Sequence, residues 1–349
     1  MELMSDPITL LPARVLGIES SCDETATAVV ENGRVELASV VASQVDLHAK
    51  YGGVFPEIAS RQHILSIYPV VEQVLYQAHL TLKDVDAIAV TRGPGLAGSL
   101  VVGINMAKGL SLASDLPLVG VNHLEGHIYS AWVSPFDVAQ PLPEPKFPLL
   151  ALLVSGGHTE LNLVRGHLDY QRLGGTLDDA VGEAFDKVAR LLNLSYPGGP
   201  AIQKAAAEGN AEAFIFPRPR LEGSWNFSFS GLKTAVLRVV RDFEEKQTTL
   251  PIEDLAASFQ AAVVDTLVRK TIQAARTFEV ENILVAGGVS ANRALRTAFL
   301  AQTEFPVHIP SLSLCTDNAV MIAAAGYYRY AMGHRDTLDM DVLPTWPLS

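Results

Sequence analysis

The sequence has few cysteines, no long hydrophobic run and no concentration of positive charge. Only two of its 349 residues are cysteines, Cys22 and Cys315, which excludes a scaffold stabilised by disulfides. The longest apolar runs, residues 148–154 and 319–328, are far shorter than the roughly 20 residues that cross a bilayer, so we expect no membrane-spanning helix. Residues 1–14 have no basic start and no cleavage-type site, which argues against a signal peptide. These absences predict a cytoplasmic protein that does not associate with membranes.

The charge balance argues against unaided binding of nucleic acid. Acidic residues outnumber basic residues 38 to 26, and the net charge at pH 7 is −12. Proteins that hold nucleic acid alone usually carry a basic stripe that displaces counterions. Here Lys and Arg are scattered, and no run of them exceeds two. Any contact with nucleic acid is therefore predicted to be local, weak or assisted by a partner.

The chain contains one pattern twice. Residues 15–41 and 149–173 each predict a strand, a turn rich in Gly, Ser and Thr, a second strand and a third strand. Later in each half, residues 85–103 and 280–296 predict a buried strand that runs into a glycine loop and a helix, an arrangement that suits an anion. Such pieces also occur by chance in α/β proteins. Read as a duplication, they predict an α/β fold with two similar lobes facing a cleft.

The predicted boundaries follow from a proline-rich stretch. Residues 134–148 contain five prolines and can form neither a helix interior nor a central strand, so they are interpreted as an inter-lobe connection or a surface insertion. Residues 1–133 then form an N-terminal lobe and residues 149–316 a C-terminal lobe. A final helix over residues 317–332 is expected to return to the first lobe.

Three other helices are predicted from apolar periodicity. They cover residues 59–79, with a bend or break near Pro69, residues 176–194, with Thr176 as N-cap, and residues 254–278.

Two histidines stand four residues apart in the segment NHLEGH. On a helix, His123 and His127 project from one face and can share a metal ion, although two unrelated surface histidines would look the same. Glu125 lies on the other side of that helix, so this is not the H-E-x-x-H arrangement of zinc proteases. Asp317 is the best candidate for a third ligand, and its alternative role is an N-cap. Two histidines with one carboxylate would suit iron(II) or zinc.

Glycine turns offer candidate sites for an anion. The strand before Ser155 runs into Gly156 and Gly157, and residues 286–292 contain another Gly-Gly turn that ends at Asn292. A plain hairpin turn would look the same as the first, and Asn292 could hold an adenine, a ribose or nothing.

Carboxylates are concentrated in two places. Residues 19–25 include Asp23 and Glu24 among hydroxyl side chains, as in a site that holds Mg²⁺ or accepts a proton. Asp179, Glu183 and Asp186 form an acidic stripe on one predicted helix, which is most often a solvated face.

Ten ordered motifs resemble a single known family. They are GIESSCDET (17–25), YGGVFPEIASRQH (51–63), RGPGL (92–96), NHLEGH (122–127), LLVSGGHTEL (152–161), GEAFDKVARLL (182–192), YPGGP (196–200), FSFSGLKT (227–234), AGGVSANR (286–293) and CTDNAVMIA (315–323). Over residues 14–348 the chain resembles the bacterial branch of the tRNA adenosine threonylcarbamoyltransferase (TsaD) family.

The resemblance implies an actin-like (ASKHA, hexokinase/Hsp70-type) duplicated two-lobe fold with a central cleft. It also implies transfer of threonylcarbamoyl from threonylcarbamoyl-AMP to the N6 amine of the tRNA adenosine 3′ of the anticodon. By the same resemblance His123, His127 and Asp317 hold a divalent transition metal, iron or alternatively zinc. Asp23 or Glu24 would accept the proton of the amine or position Mg²⁺. The implied adenylate-binding residues are Leu153, Val154, Ser155, Gly156, Gly157, Asp186, Gly199 and Asn292.

The resemblance further implies partners. These are tRNA, a TsaB-like paralogue in a heterodimer, a TsaE-like ATPase, and a TsaC-like enzyme that supplies the adenylate. The helix over residues 59–79 is a candidate dimer surface, on which Ile64, Ile67 and Val71 are either exposed or ordinary core.

Three alternative functions remain at this stage. An actin-like kinase or carbamoyltransferase acting on a small molecule would need the glycine loops but not the metal set. A metalloprotease conflicts with the placement of Glu125. A non-enzymatic nucleotide-dependent interaction protein would bind ATP and leave tRNA unmodified.

Overall fold

The structure is a computed structural model, and it describes residues 12–134, 143–219 and 223–348. Most of the predicted connection, residues 135–142, lies outside the described residues. The chain divides into two compact units, one formed by Met1–Glu144 with Asp317–Leu348 and the other by Pro145–Thr316 with Ser349. No helix in the described residues combines the length and hydropathy needed to cross a membrane.

In each unit an initial meander of three strands is followed by helices and two further strands. The strands are β1 (Arg14–Glu19), β2 (Glu24–Glu31), β3 (Val35–Ser43), β4 (Ala87–Gly93), β5 (Leu118–Asn122), β6 (Leu149–Val154), β7 (Thr159–Gly166), β8 (Asp169–Gly175), β9 (Asn282–Ala286) and β10 (Val307–His308). The α-helices are α1 (Val45–Ala49), α2 (Pro56–Gln77), α3 (Ala97–Ser114), α4 (His123–Tyr129), α5 (Val181–Leu191), α6 (Gly198–Ala206), α7 (Ser230–Glu245), α8 (Ile252–Thr277), α9 (Arg293–Gln302), α10 (Leu312–Cys315) and α11 (Ala319–Ala331).

The two units have the same sheet topology. The first sheet has the order β3-β2-β1-β4-β5 and the second the order β8-β7-β6-β9-β10. In each, the first three strands form an antiparallel meander and the last two run parallel to its first strand. The strands at the centre of each sheet are continuous apolar runs, as expected for strands covered on both faces. The predicted duplication is confirmed.

Helices cover both faces of the first sheet. Ile18, Ile88 and Ile104 form a core between the sheet and α3. On the opposite face α11 packs closely against β1, where a Cβ on Gly17 would clash with the carbonyl oxygen of Ala319. Only glycine therefore permits this contact, which fixes the start of α11 over the centre of the sheet.

The second unit has a larger aromatic core. Phe185 on α5 and Phe259 on α8 are buried and meet edge to face, with their ring centres 5.2 Å apart. Aromatic pairs in this geometry add roughly 0.5–1.5 kcal/mol beyond their buried area. The contact holds α5 and α8 against each other on one face of β6 and its neighbours.

Some predicted helix details are wrong. Helix α2 continues through Pro69, so of the predicted bend or break the break is wrong. Helix α5 begins at Val181, so Thr176 is not its N-cap; the hydroxyl of Thr176 instead donates to the carbonyl of Asp179 at 2.7 Å. The physical reason is that the backbone here continues strand pairing: the N–H of Thr176 donates to the carbonyl of Thr159 and that of Leu177 to the carbonyl of Phe227, both at 2.9 Å.

The structure decides which of the three apolar residues on the predicted partner helix are core and which are exposed. Ile67 and Val71 are buried, with 5% and 4% exposure, and belong to the core of the first unit. Ile64 is 63% exposed, and the apolar side chains beside it on the surface are Leu65 and Tyr68, with 70% and 61% exposure.

Candidate active site

The two histidines of NHLEGH begin and nearly end a short helix. Asn122 closes β5 and caps α4, because its side-chain oxygen accepts a hydrogen bond from the backbone N–H of Leu124 at 2.9 Å. His123 and His127 are both buried, and their ring centres are 4.8 Å apart. The predicted helical i, i+4 pair is confirmed.

Asp317 is not the N-cap of the last helix. The capping residue of α11 is Asn318, whose side chain accepts from the N–H of Met321 at 3.0 Å. The carboxylate of Asp317 instead faces the histidines, with Oδ1 3.4 Å from Nε2 of His123 and 3.4 Å from Nε2 of His127.

These three residues fit a metal ion. One ligand atom from each of His123, His127 and Asp317 lies within 4.8 Å of the others, and the described parts of the chain hold no second group of this kind. A tetrahedral ion with bonds of about 2.1 Å has ligand atoms about 3.4 Å apart, which matches both carboxylate–imidazole distances. Nε2 of His127 is buried and makes no hydrogen bond within the described residues, as expected for a nitrogen that serves as a ligand.

Glu19 supports His123 from behind. Nδ1 of His123 donates to Oε2 of Glu19 at 3.0 Å, so Nε2 is the ring nitrogen on the side of Asp317. Glu19 is fully buried, and it also accepts from the hydroxyl of Thr91 at 2.6 Å and from the N–H of Ser21. Every hydrogen bond to this carboxylate restrains its position.

Interactions between the charged groups determine the direction of the pKa shifts of His123 and Asp317, whereas burial determines that of His127. Burial disfavours the charged form of His123, but the carboxylates of Asp317 and Glu19 outweigh it and raise the pKa of His123 well above its usual value. Burial likewise opposes ionisation of Asp317, yet His123 and His127 hold the pKa of Asp317 well below its usual value. For His127 burial prevails, and its pKa is lowered.

Asp23 and Glu24 lie at the start of β2 in the same unit. Burial raises the pKa of Asp23, and its backbone oxygen accepts from the N–H of Gln44 at 3.1 Å. Burial raises the pKa of Glu24 to about 7, although a hydrogen bond from the hydroxyl of Ser43 at 2.8 Å opposes the shift. Oε2 of Glu24 is buried and has no hydrogen-bond partner among the described residues, so it is available to accept a proton.

In the second unit the Gly-Gly turn follows β6. Leu153 and Val154 are buried strand residues, so they can offer only backbone groups. Ser155 closes the turn, because its N–H donates to the carbonyl of His158 at 2.8 Å. Gly156 and Gly157 are exposed, and a Cβ on either would meet no atom within 4 Å. The space beside this turn is open to a ligand.

Of the remaining predicted adenylate residues, Gly199 and Asn292 lie at the starts of helices and Asp186 lies in the middle of α5. Asp186 on α5 accepts from the N–H of Gly198 at 2.7 Å and so fixes the start of α6, where Gly199 has open space beside it. Burial raises the pKa of Asp186. Asn292 caps α9 through Leu295, and its amide nitrogen donates to Oε1 of Gln260 at 2.8 Å. Asp186, one of the three residues of the predicted acidic stripe, therefore has a hydrogen-bond partner on a neighbouring helix.

Comparison with known proteins decides the family. The family model described as "TsaD: tRNA N6-adenosine threonylcarbamoyltransferase" matches residues 36–324. This chain belongs to the TsaD family. The family predicted from the ten motifs is confirmed.

Curated members of the TsaD family align with nearly the whole chain. Proteins named tRNA N6-adenosine threonylcarbamoyltransferase from Thermomicrobium roseum and Bacillus subtilis strain 168 are 54% identical over 353 residues and 51% identical over 337 residues. The alignments cover 96% of both chains in the first case, and 95% of this chain and 94% of the other in the second.

Solved structures establish the fold of this TsaD member. HypF from T. kodakarensis superposes with a TM-score of 0.60 at 17% identity, over 92% of this chain and 49% of that one. Component A of Acidaminococcus fermentans (R)-2-hydroxyglutaryl-CoA dehydratase gives 0.52 at 16% identity, over 92% and 99% of the two chains. These likenesses concern the fold alone, and they confirm the predicted actin-like α/β class.

Two features of this TsaD chain were missed by sequence reasoning. Glu19 stands in the GIESSCDET motif, but nothing local marks it as the partner of His123. Asn318 was overlooked as a cap, although an Asn directly before an apolar helix is a recognised N-cap signal. The contact between Glu19 and His123 could be found only from the fold, whereas the capping role of Asn318 could have been predicted from the sequence.

Proposed function

We propose that this protein transfers the threonylcarbamoyl group of threonylcarbamoyl-AMP to the N6 amine of the adenosine 3′ of the anticodon, in tRNAs that read ANN codons. The observation that carries the proposal is membership of the TsaD family, with curated members 51–55% identical over nearly the full length. A cytoplasmic location is part of the proposal, because tRNA is the substrate.

In this proposal His123, His127 and Asp317 hold one divalent transition metal, iron in the first place and zinc as the alternative. Their ligand-atom spacing supports the assignment, as does the buried Nε2 of His127, which makes no hydrogen bond within the described residues. When bound, such an ion would supply a Lewis acid for the acyl carbonyl. Nitrogen and oxygen ligands of this kind accept both metals, so metal analysis has to choose between them.

The adenylate is assigned to the second unit. The exposed turn of Ser155, Gly156 and Gly157 lets a phosphate approach the backbone closely, and the open space beside Gly199 suits the nucleoside. Asp186 and Asn292 would fix the ribose and base, each of them held by a hydrogen bond to a neighbouring helix or loop. Leu153 and Val154 would contribute as the rigid strand that leads into the turn.

Glu24 is the better candidate for the proton acceptor. Its pKa of about 7 lets it take a proton near neutral pH, and its buried Oε2 is unpartnered within the described residues. Asp23 would assist or position Mg²⁺. Because the lone pair of the adenine amine is delocalised into the purine, orientation contributes more to this step than basicity.

The proposal includes partners. A net charge of −12 opposes unaided binding of tRNA, so a TsaB-like paralogue, a TsaE-like ATPase and a TsaC-like adenylate supplier are expected. The exposed Ile64 of α2 lines a groove of about 480 Å³ together with Val101 of α3, and the exposed Leu65 and Tyr68 lie on the same helix. An apolar surface of this kind suits the paralogue.

The decisive experiment supplies threonylcarbamoyl-AMP and unmodified tRNA to the purified chain, with and without the three partners. Digested tRNA is analysed by mass for the threonylcarbamoyl nucleoside. Product is expected with the partners and little without them, and the His127→Ala chain serves as the inactive control. Absence of product under all conditions, together with phosphorylation or carbamoylation of a small molecule, would favour the alternative enzyme class.

A further inference from the structure

Glu125 stands between the two histidines of NHLEGH, yet it faces a different partner. Its Oε1 accepts from Nε of Arg329 and its Oε2 accepts from Nη2 of Arg329, both at 2.7 Å. The side chain of Glu125 has no exposed surface, and that of Arg329 retains 18%. A paired, bidentate contact between a guanidinium and a carboxylate is strong and fixes orientation as well as distance.

This ion pair joins the two helices that present the proposed metal ligands. Helix α4 carries His123 and His127. Asp317 lies two residues before α11, and Arg329 stands in the last turn of that helix. No short chain segment connects α4 to α11, so packing and side-chain contacts must set their geometry.

Several contacts join the helices along α11, including the stacked rings of Tyr129 and Tyr328, and two others lie seven residues apart on that helix. At the first, a Cβ on Gly126 would lie 2.8 Å from Cδ1 of Ile322, so α4 rests directly on the beginning of α11. The second is the Glu125–Arg329 pair, seven residues further along, or about 10 Å at 1.5 Å per residue. The first contact sets how close the helices are, and the second restrains the angle between them.

The C-terminal segment reinforces the second contact. The guanidinium of Arg329 lies over the ring of Trp346, 5.5 Å from its centre. The backbone oxygen of Trp346 accepts from the side-chain amide of Asn122 at 3.0 Å, and Asn122 caps α4. The contacts therefore form a closed path from α4 through Arg329 and Trp346 back to α4.

We propose that Glu125 and Arg329 are positioning residues for the metal site, an inference that rests on the metal ligands proposed above. Neither touches the ion. They hold Asp317 at the same distance from both histidines by fixing α4 against α11. Outer residues that orient metal ligands typically change metal affinity 10- to 100-fold when altered, so this pair is expected to act through affinity and ligand geometry.

The test uses the full chain, stripped of metal by a chelator and titrated separately with Zn²⁺ and Co²⁺. Four forms are compared: the parent, Glu125→Gln, Arg329→Lys and the double variant. Each single variant is expected to bind about 10-fold or more weakly, and the visible absorption of bound Co²⁺ is expected to change because the ligand angles change. The double variant is expected to lose no more metal affinity than the single variant that binds metal less tightly, because both substitutions disrupt the same contact.

A matched control separates positioning from general destabilisation. Val74→Ala creates a cavity in the buried core between α2 and the sheet, away from α4 and α11. It is expected to lower the melting temperature and to leave metal affinity and the Co²⁺ spectrum unchanged. Should Glu125→Gln not fold, Arg329→Lys, which keeps the positive charge, provides the same comparison.

The inference is overturned if the Glu125 and Arg329 variants bind metal as tightly as the parent with an unchanged spectrum, while their melting temperatures fall as in Val74→Ala. If the parent itself binds no metal, the proposed ligands are wrong and the inference fails with them. The parent titration therefore distinguishes failure of the site from failure of the positioning pair.

Discussion

Glu19 and His123 form a buried hydrogen bond of 3.0 Å that determines which ring nitrogen of the histidine faces Asp317. Burial alone would raise the pKa of Glu19, but His123 outweighs it and the net pKa is lowered, so the carboxylate is the acceptor and Nδ1 carries the proton. The sequence places these residues far apart, and the register of β1 beside β4 and β5 brings them together.

Removal of this carboxylate should weaken metal binding. Glu19→Ala leaves Nδ1 of His123 without its acceptor, and we expect the metal dissociation constant to rise about 10- to 100-fold. Glu19→Gln keeps an acceptor oxygen, so its metal dissociation constant should lie between those of the parent and of Glu19→Ala. Glu31→Ala is the control, because Glu31 pairs with Arg14 at a partly exposed position. Metal titration of the chelator-treated chain measures the effect, and equal affinity in all variants would contradict the orienting role.

Loss of one ligand should abolish metal binding while the fold remains. His123→Ala or Asp317→Ala leaves two ligands, which cannot complete the geometry, and transfer to tRNA should fall at least about 100-fold because a Lewis acid contributes several kcal/mol. Elemental analysis and nucleoside mass analysis are the measurements. His334→Ala, which alters an exposed histidine of the same unit, should behave as the parent. Full metal content with unchanged transfer in both ligand variants would refute the assignment.

Glu24 predicts a pH dependence. A proton acceptor must be ionised, and burial raises the pKa of Glu24 to about 7, so transfer should increase as pH rises toward 7 and level off above it. Glu24→Gln should remove this rise and lower the rate about 10²- to 10⁴-fold.

Ser43→Ala tests the same group without touching it. The hydroxyl of Ser43 donates to Glu24 and lowers its pKa, so its removal should move the rising limb to higher pH. Measured initial rates from pH 5.5 to 8.5 provide the profile (a range chosen to span about 1.5 pH units on either side of neutrality). If the rising limb of the pH–rate profile stays in place in both variants, that limb reflects the titration of a group other than Glu24.

Two helical glycines form a matched pair in the second unit. Gly182 is the second residue of α5, and a Cβ there would lie 2.7 Å from the carbonyl oxygen of Ser155 and 2.8 Å from Cα of Gly156. Gly231 is the second residue of α7, and a Cβ there meets nothing within 4 Å.

Gly182→Ala should therefore displace the glycine turn, lower the free energy of unfolding by about 1–3 kcal/mol and weaken adenylate binding. Gly231→Ala should be neutral or stabilise by up to about 1 kcal/mol, because alanine favours a helix. Thermal unfolding and calorimetry with AMP measure the two effects. Equal behaviour of both variants would show that the Ser155–Gly157 turn tolerates displacement.

Much of the fold could be predicted because it is encoded locally. Apolar runs identify β1 and β6 as buried strands, and the repeated meander predicts two equivalent sheets. The spacing of His123 and His127 places both on one helical face, since four residues make about one turn. Helix ends were less predictable: Thr176 looked like a cap but was not, because its backbone forms a β-bridge with the distant Phe227.

The sequence by itself determined the two strand meanders, the long helices, the histidine pair and the family. Only the tertiary structure decided that Asp317 faces both histidines, that Glu19 supports His123 and that Glu125 pairs with Arg329. The physical reason is the range of the interactions involved. Helix and strand periods repeat within a few residues, whereas a contact between distant segments exists only after the sheet and α11 have packed together.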